Sequence, residues 1–168
     1  EVHLLLGRAY REMENTFFSL TAFQTIVDQY PTDLLFGQAL LEQGRTRFAA
    51  NDISGAIEHY LAIATNFDYL AEAPEALWRA GYLYATNGQS AEARGIFDRL
   101  ADTFPDSTQA IDGLFLAATE AMTSGDNTAA VEAAKERRDA FQDDRSQTAA
   151  ERLTEMADRL EERADESL

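Results

Sequence analysis

Small, aromatic and polar residues recur along this chain at a spacing of 37 positions. Gly7, Gly44, Gly81 and Ala118 form one column, Ser19, Ala56, Ala93 and Ala130 a second, and Phe23, Tyr60, Phe97 and Ala134 a third. Two further columns hold Tyr10, Arg47, Tyr84 and Ala121, and Pro31, Asp68, Pro105 and Gln142. Five columns in one register mark an internal repeat, in which each period is a supersecondary unit that buries its apolar face on its neighbours. Turn residues cut the period in two. Asn51-Asp52, Asn87-Gly88 and Ser124-Gly125-Asp126 fall in mid-repeat as turn and C-cap residues, so each repeat reads as a pair of helices, A then B.

The spans predicted are A helices near 2–14, 34–50, 73–87 and 108–123, and B helices near 17–30, 54–67, 90–104 and 127–141. Ser54 and Ser90 are placed as N-caps of B helices. Pro74 suits a first helical turn, where its missing N–H costs nothing. Pro105-Asp106-Ser107 ends one B helix and can cap the next A helix. Beyond Phe141 the pattern changes. Thr148 and Glu151 form a candidate capping box, and Leu153, Met156, Leu160 and Ala164 make one narrow apolar stripe. Residues 143–168 hold nine acids and four arginines, a net of −5. This segment reads as a closing helix whose polar side faces water, or as the first half of a further repeat.

The columns have a physical reading. Gly on A and Ser or Ala on B mark places where two backbones approach too closely for a larger side chain, and the Phe/Tyr column fills the gap between repeats. Arg47 stands where an aromatic is expected. Either its stem packs while the guanidinium reaches water, or it makes a buried pair with Glu42 or Glu58.

The best copy of the repeat, about residues 74–107, contains Leu77, Ala80-Gly81, Tyr84, Ala93, Phe97 and Pro105 in that order. This order resembles the tetratricopeptide repeat, whose period is about 34 residues; the extra residues are assigned to the joints. The resemblance implies an all-α fold, a right-handed superhelix of antiparallel helix pairs. It gives one solenoid domain over 1–168, with repeats at about 1–33, 37–70, 74–107 and 111–142 and a closing helix at 147–166. It weakens at Arg47 and Asp68, and the fourth repeat lacks the Gly, both aromatics and the Pro.

Composition narrows the functions. The net charge is −16 over 168 residues, which repels phosphate backbones and disfavours nucleic acid. Cysteine is absent, so there is no disulfide framework, thiolate nucleophile or Cys-type zinc site. No apolar run approaches the roughly 20 residues of a membrane span, so direct membrane insertion is not expected. The chain opens on Glu1 rather than Met and reads as excised from a longer protein or as a mature form. His3 and His59 stand apart from any nucleophile motif, Asp126-Asn127 lacks the other ligands of a calcium loop, and no Gly-rich phosphate loop occurs. No enzyme activity, cofactor or metal is expected.

The resemblance places function on the concave surface lined by A helices. Leu4, Leu41, Trp78 and Phe115 would point there, with Arg8, Arg45 and Tyr82 one turn on, then Arg11 and Phe48, and Arg79 beside them. The implied site is a groove for a protein or peptide bearing carboxylates: Arg8, Arg11, Arg45 and Arg79 for the acids, with Phe48, Trp78, Tyr82 and Phe115 as apolar anchors. The alternative is structural: Trp78 and the Leu column pack A helices together, and the arginines pair with Glu12, Glu42 and Glu75. The Lys/Asn carboxylate clamp of some family members is not reproduced, because Leu4 and Arg8 occupy its leading places. Tyr30-Pro31-Thr32 and Phe104-Pro105-Asp106-Ser107 are similar to joints in bacterial envelope members, implying the periplasm or cell envelope. Ala76-Leu77-Trp78-Arg79-Ala80-Gly81 is similar to the helical portion of soluble lytic transglycosylases. That implies a second reading, a non-catalytic segment of a cell-wall enzyme.

Overall fold

The computed structural model describes residues 1–110, 112, 113, 116 and 117. The B helix of the fourth repeat, the closing helix and Phe115 lie outside the described residues. Among those described there are six helices and no strand: α1 (Val2–Glu12), α2 (Thr16–Gln29), α3 (Leu35–Ala49), α4 (Ile53–Asn66), α5 (Ala73–Thr86) and α6 (Ser90–Thr103). Residues 108–110, 112–113 and 116–117 are helical as well. Each boundary falls within two residues of its predicted place.

The connections repeat as strictly as the helices. Each of α1, α3 and α5 ends in a residue with positive φ, namely Glu14 at 57°, Asn51 at 61° and Gly88 at 76°. The next amide folds back five residues: Asn15 N–H donates to Tyr10 O, Asp52 to Arg47 O and Gln89 to Tyr84 O, at 2.8–2.9 Å. This left-handed helix stop satisfies carbonyls that the helix end leaves open. It also corrects the expected caps. The residue after the left-handed one is the N-cap of the B helix, so the caps are Asn15, Asp52 and Gln89, not Ser54 and Ser90. Asn15 Oδ1 accepts from Phe18 N–H at 3.3 Å and Asp52 Oδ1 from Gly55 N–H at 3.0 Å. The B-to-A joints share one bonding pattern too: Tyr30 to Ile26, Asp33 to Tyr30 and Phe36 to Asp33 recur 37 and 74 positions later. Pro74 is the second residue of α5. Ser107 Oγ accepts from Ala110 N–H at 3.1 Å, capping the next A helix as expected.

The chain divides into two compact units, Glu1–Leu83 and Tyr84 onward. In the first, α1 packs on α2, α2 on α3, α3 on α4, and α1 also on α3. The close contacts are those the Gly column requires. A Cβ on Gly7 would lie 2.5 Å from Cε1 of Phe23, and one on Gly44 would lie 2.3 Å from Cε1 of Tyr60. Both rings are buried. Leu4, Phe23, Ile26 and Ala39 form one core cluster that joins α1, α2 and α3. Ser19, the polar member of its column, is fully buried. Its hydroxyl lies 2.9 Å from Gly7 O and 3.0 Å from the Thr46 hydroxyl, which also reaches Glu42 O at 2.9 Å. In the second unit, Phe97 and Leu100 are fully buried, and a Cβ on Gly113 would meet them at 2.9 and 3.1 Å. Gly113 stands 74 positions after Ala39, as Phe97 and Leu100 stand after Phe23 and Ile26. Both units therefore pack by one rule.

Candidate partner-binding face

Arg8 and Arg11 lie one turn apart on α1, and Arg45 repeats Arg8 on α3 at the 37-residue spacing. All three converge on Glu42, whose side chain is only 1% exposed. Arg8 donates to Glu42 Oε1 through Nε at 3.1 Å and Nη2 at 2.8 Å. Arg11 Nη1 donates to Glu42 Oε2. Arg45 Nη1 donates to Glu42 Oε1 at 2.9 Å, and its Nη2 reaches Glu75 Oε1 on α5 at 2.8 Å. Arg79, one turn along α5, donates to the same Glu75 oxygen through Nε at 2.9 Å and Nη2 at 2.6 Å. One network thus runs α1–α3–α5, with four guanidiniums around two carboxylates.

Burial alone would push Glu42 upward in pKa. The hydrogen bonds of Arg11 and Arg8, with the charges of Arg11 and Arg45, outweigh that and hold it below the ordinary carboxylate range. Glu75 behaves alike: burial raises it, and Arg79 and Arg45 overcome the effect. Arg45 loses solvation, but Glu42 and Glu75 raise its pKa on balance. Both carboxylates are therefore charged at neutral pH, and the network carries a surplus of two positive charges before the weak contact of Arg11 with Glu12 at 4.0 Å. The Tyr60 hydroxyl, raised by burial to about 12, stays protonated.

Trp78 and Tyr82, four apart on α5, stack with ring centroids 5.3 Å apart and planes 11° from parallel. Trp78 is half-buried and Tyr82 is 41% exposed. Phe48 on α3 is 48% exposed. So the structure gathers Arg8, Arg11, Arg45 and Arg79 into one network and pairs Trp78 with Tyr82. The expected apolar floor is corrected at Leu4 and Leu41, which are buried; Leu4 fills the wedge beside Phe23 and Ile26 instead of facing a groove. Of the alanine-rich phrase at 76–81, Ala76, Leu77, Ala80 and Gly81 are all buried.

Arg47 holds the stem-packed position: its Nη1 lies 3.4 Å from Asp52 Oδ2 near the surface. His59 Nε2 lies 2.9 Å from Leu40 O; burial lowers its pKa, with Arg47 adding to the effect against that hydrogen bond. Among the described residues no group of three or more His, Cys, Asp or Glu is placed to hold a metal ion, and no helix is long and apolar enough to cross a membrane.

Comparison with known proteins agrees with this architecture. No curated protein matches the chain. Several solved structures share the fold at low identity. A Podosopora anserina protein of nearly identical TPR-like repeats is 14% identical, with a TM-score of 0.55 over 97% of this chain and 95% of that one. A tetratricopeptide repeat protein from Parabacteroides merdae is 12% identical, with a TM-score of 0.63 over 98% of this chain and 61% of that one. MamA is 15% identical, with a TM-score of 0.54 over 96% of this chain and 97% of that one. Tetratricopeptide repeat family models match residues 1–33 and 34–108. With the 37-residue register, the helix pairs and these matches in agreement, the chain belongs to the tetratricopeptide repeat family.

Proposed function

We propose that this protein is a non-catalytic interaction scaffold that binds a carboxylate-bearing protein or peptide on the concave face of its A helices. The observation that supports it is the surplus of guanidinium on α1, α3 and α5. Four arginines meet two carboxylates in a chain whose net charge is −16. Arg8, Arg45 and Arg79 are each about a third exposed. Guanidinium forks of that kind retain donors for a further carboxylate. The Trp78–Tyr82 stack and Phe48 offer rigid aromatic contact area nearby, the type of group that anchors interfaces. The internal pairs hold the forks in place, so less ordering is needed when a partner arrives.

The test uses the single tryptophan. Trp78 emission is followed while an alternating Glu/Leu peptide, and separately its Lys/Leu counterpart, is added at low and high salt. The reading predicts a saturable change with the acidic peptide only, weakened by salt and reduced in an Arg8→Gln variant that still folds. Equal responses to both peptides, or none to the acidic one, would contradict it.

A further inference from the structure

The outer stripe of α1 consists of Val2, Leu5, Leu6 and Ala9, at helical spacings of three, one and three. Val2 is 75%, Leu5 65% and Leu6 41% exposed, and Ala9 is exposed too. The same positions on α3, 37 residues on, are Ala39, Glu42, Gln43 and Thr46, and all four are buried. Each is covered by the preceding helix pair. Ala39 packs with Phe23 and Ile26, Glu42 takes Arg8 and Arg11, Gln43 bonds Gln24 at 2.8 Å, and Thr46 meets Ser19 at 3.0 Å. On α5 the equivalents Ala76, Ala80 and Leu83 are buried as well, while Arg79, at the Leu5 place, is about a third exposed. The first A helix thus exposes a stripe that α3 buries at all four places and α5 at three. The stripe on α1 is apolar at all four positions.

We propose that the Val2–Ala9 stripe is a docking face for the B helix of a further helix pair of the same kind, seated on α1 as α2 is seated on α3. The interface is the established α2–α3 contact continued by one step. It fixes the partner's chemistry: an aromatic and a branched aliphatic three residues apart, as in Phe23 and Ile26, Tyr60 and Ile63, and Phe97 and Leu100. These would close on Val2 and Leu6.

A copy of residues 34–74 joined directly before Glu1 tests it, because the copied Tyr60 then precedes Val2 by sixteen positions, as Phe23 precedes Ala39. The lengthened chain should melt in one transition, raised by about 5 °C or more, and amides of residues 2–9 should exchange more slowly. Val2→Arg should cancel the gain there while leaving the melting of the original chain unchanged. Two separate transitions, or a gain that survives Val2→Arg, would overturn the proposal. So would sedimentation showing that the original chain forms a dimer which Val2→Arg dissolves, since a second copy would then own the face.

Discussion

Arg8 Nη2 and Glu42 Oε1 lie 2.8 Å apart although 34 residues separate them in the chain. The pair joins the first A helix directly to the second. Because Glu42 is buried under three arginines, removing its charge leaves those guanidiniums facing one another. Glu42→Gln is expected to cost about 3 kcal/mol at neutral pH, the low end for breaking a buried pair, since Arg8 and Arg45 are 36% and 34% exposed and can turn toward water. Urea unfolding at pH 7 measures it.

The same pair makes stability depend on pH. Glu42 is held below its ordinary pKa in the folded chain, so its contribution is complete above the unfolded value of about 4.3 and is lost as pH falls through the folded value. Wild type and Glu42→Gln should differ most at neutral pH and converge as pH falls through the folded value. Unfolding curves at a series of acid pH values would show the convergence.

His59 contributes at a higher pH window. Burial lowers its pKa in the folded chain, so the unfolded chain binds the proton more readily. Stability from neutral His59 is complete above about pH 6.5 and declines below it, through the folded value. Just below about pH 6.5, His59→Gln should show a flatter dependence of unfolding free energy on pH than wild type.

The left-handed residues at the A-helix ends are Glu14, Asn51 and Gly88. Only glycine adopts that conformation without cost, and asparagine tolerates it better than glutamate. Glu14→Gly should therefore stabilise the protein by up to about 1 kcal/mol, and Asn51→Val should destabilise it by about 1–2 kcal/mol. Thermal melts of the two variants should move in opposite directions.

Over the described residues, helix order and boundaries were legible because packing demanded the same residue type at the same place in successive repeats: Gly7 and Gly44 face Phe23 and Tyr60. The stop at Glu14 was not legible, because the left-handed position is defined by backbone geometry and glutamate gives no sign of it. Asn51 and Gly88 do give such a sign and were legible as turn and C-cap residues. The cap positions shifted for the same reason. Glu42 and Glu75 could be named as candidate arginine partners, but not ranked. Glu42 repeats Leu5 and Arg79, so no column marks it as the centre. The Ala39–Gly113 column was missed because alanine is common enough in helices to carry little signal.

Everything in this account rests on helix pairs stacked at a 37-residue step with glycine under the aromatic rings. The direct measurement compares three glycines by chemical denaturation. Gly44→Ala and Gly7→Ala should each lose about 1–3 kcal/mol by overpacking, because the added Cβ would meet Tyr60 and Phe23. Gly95→Ala, at an exposed position of α6 with nothing within 4 Å, should gain up to about 1 kcal/mol. If all three changes proved equal, or the first two were stabilising, the stacking register described here would be wrong.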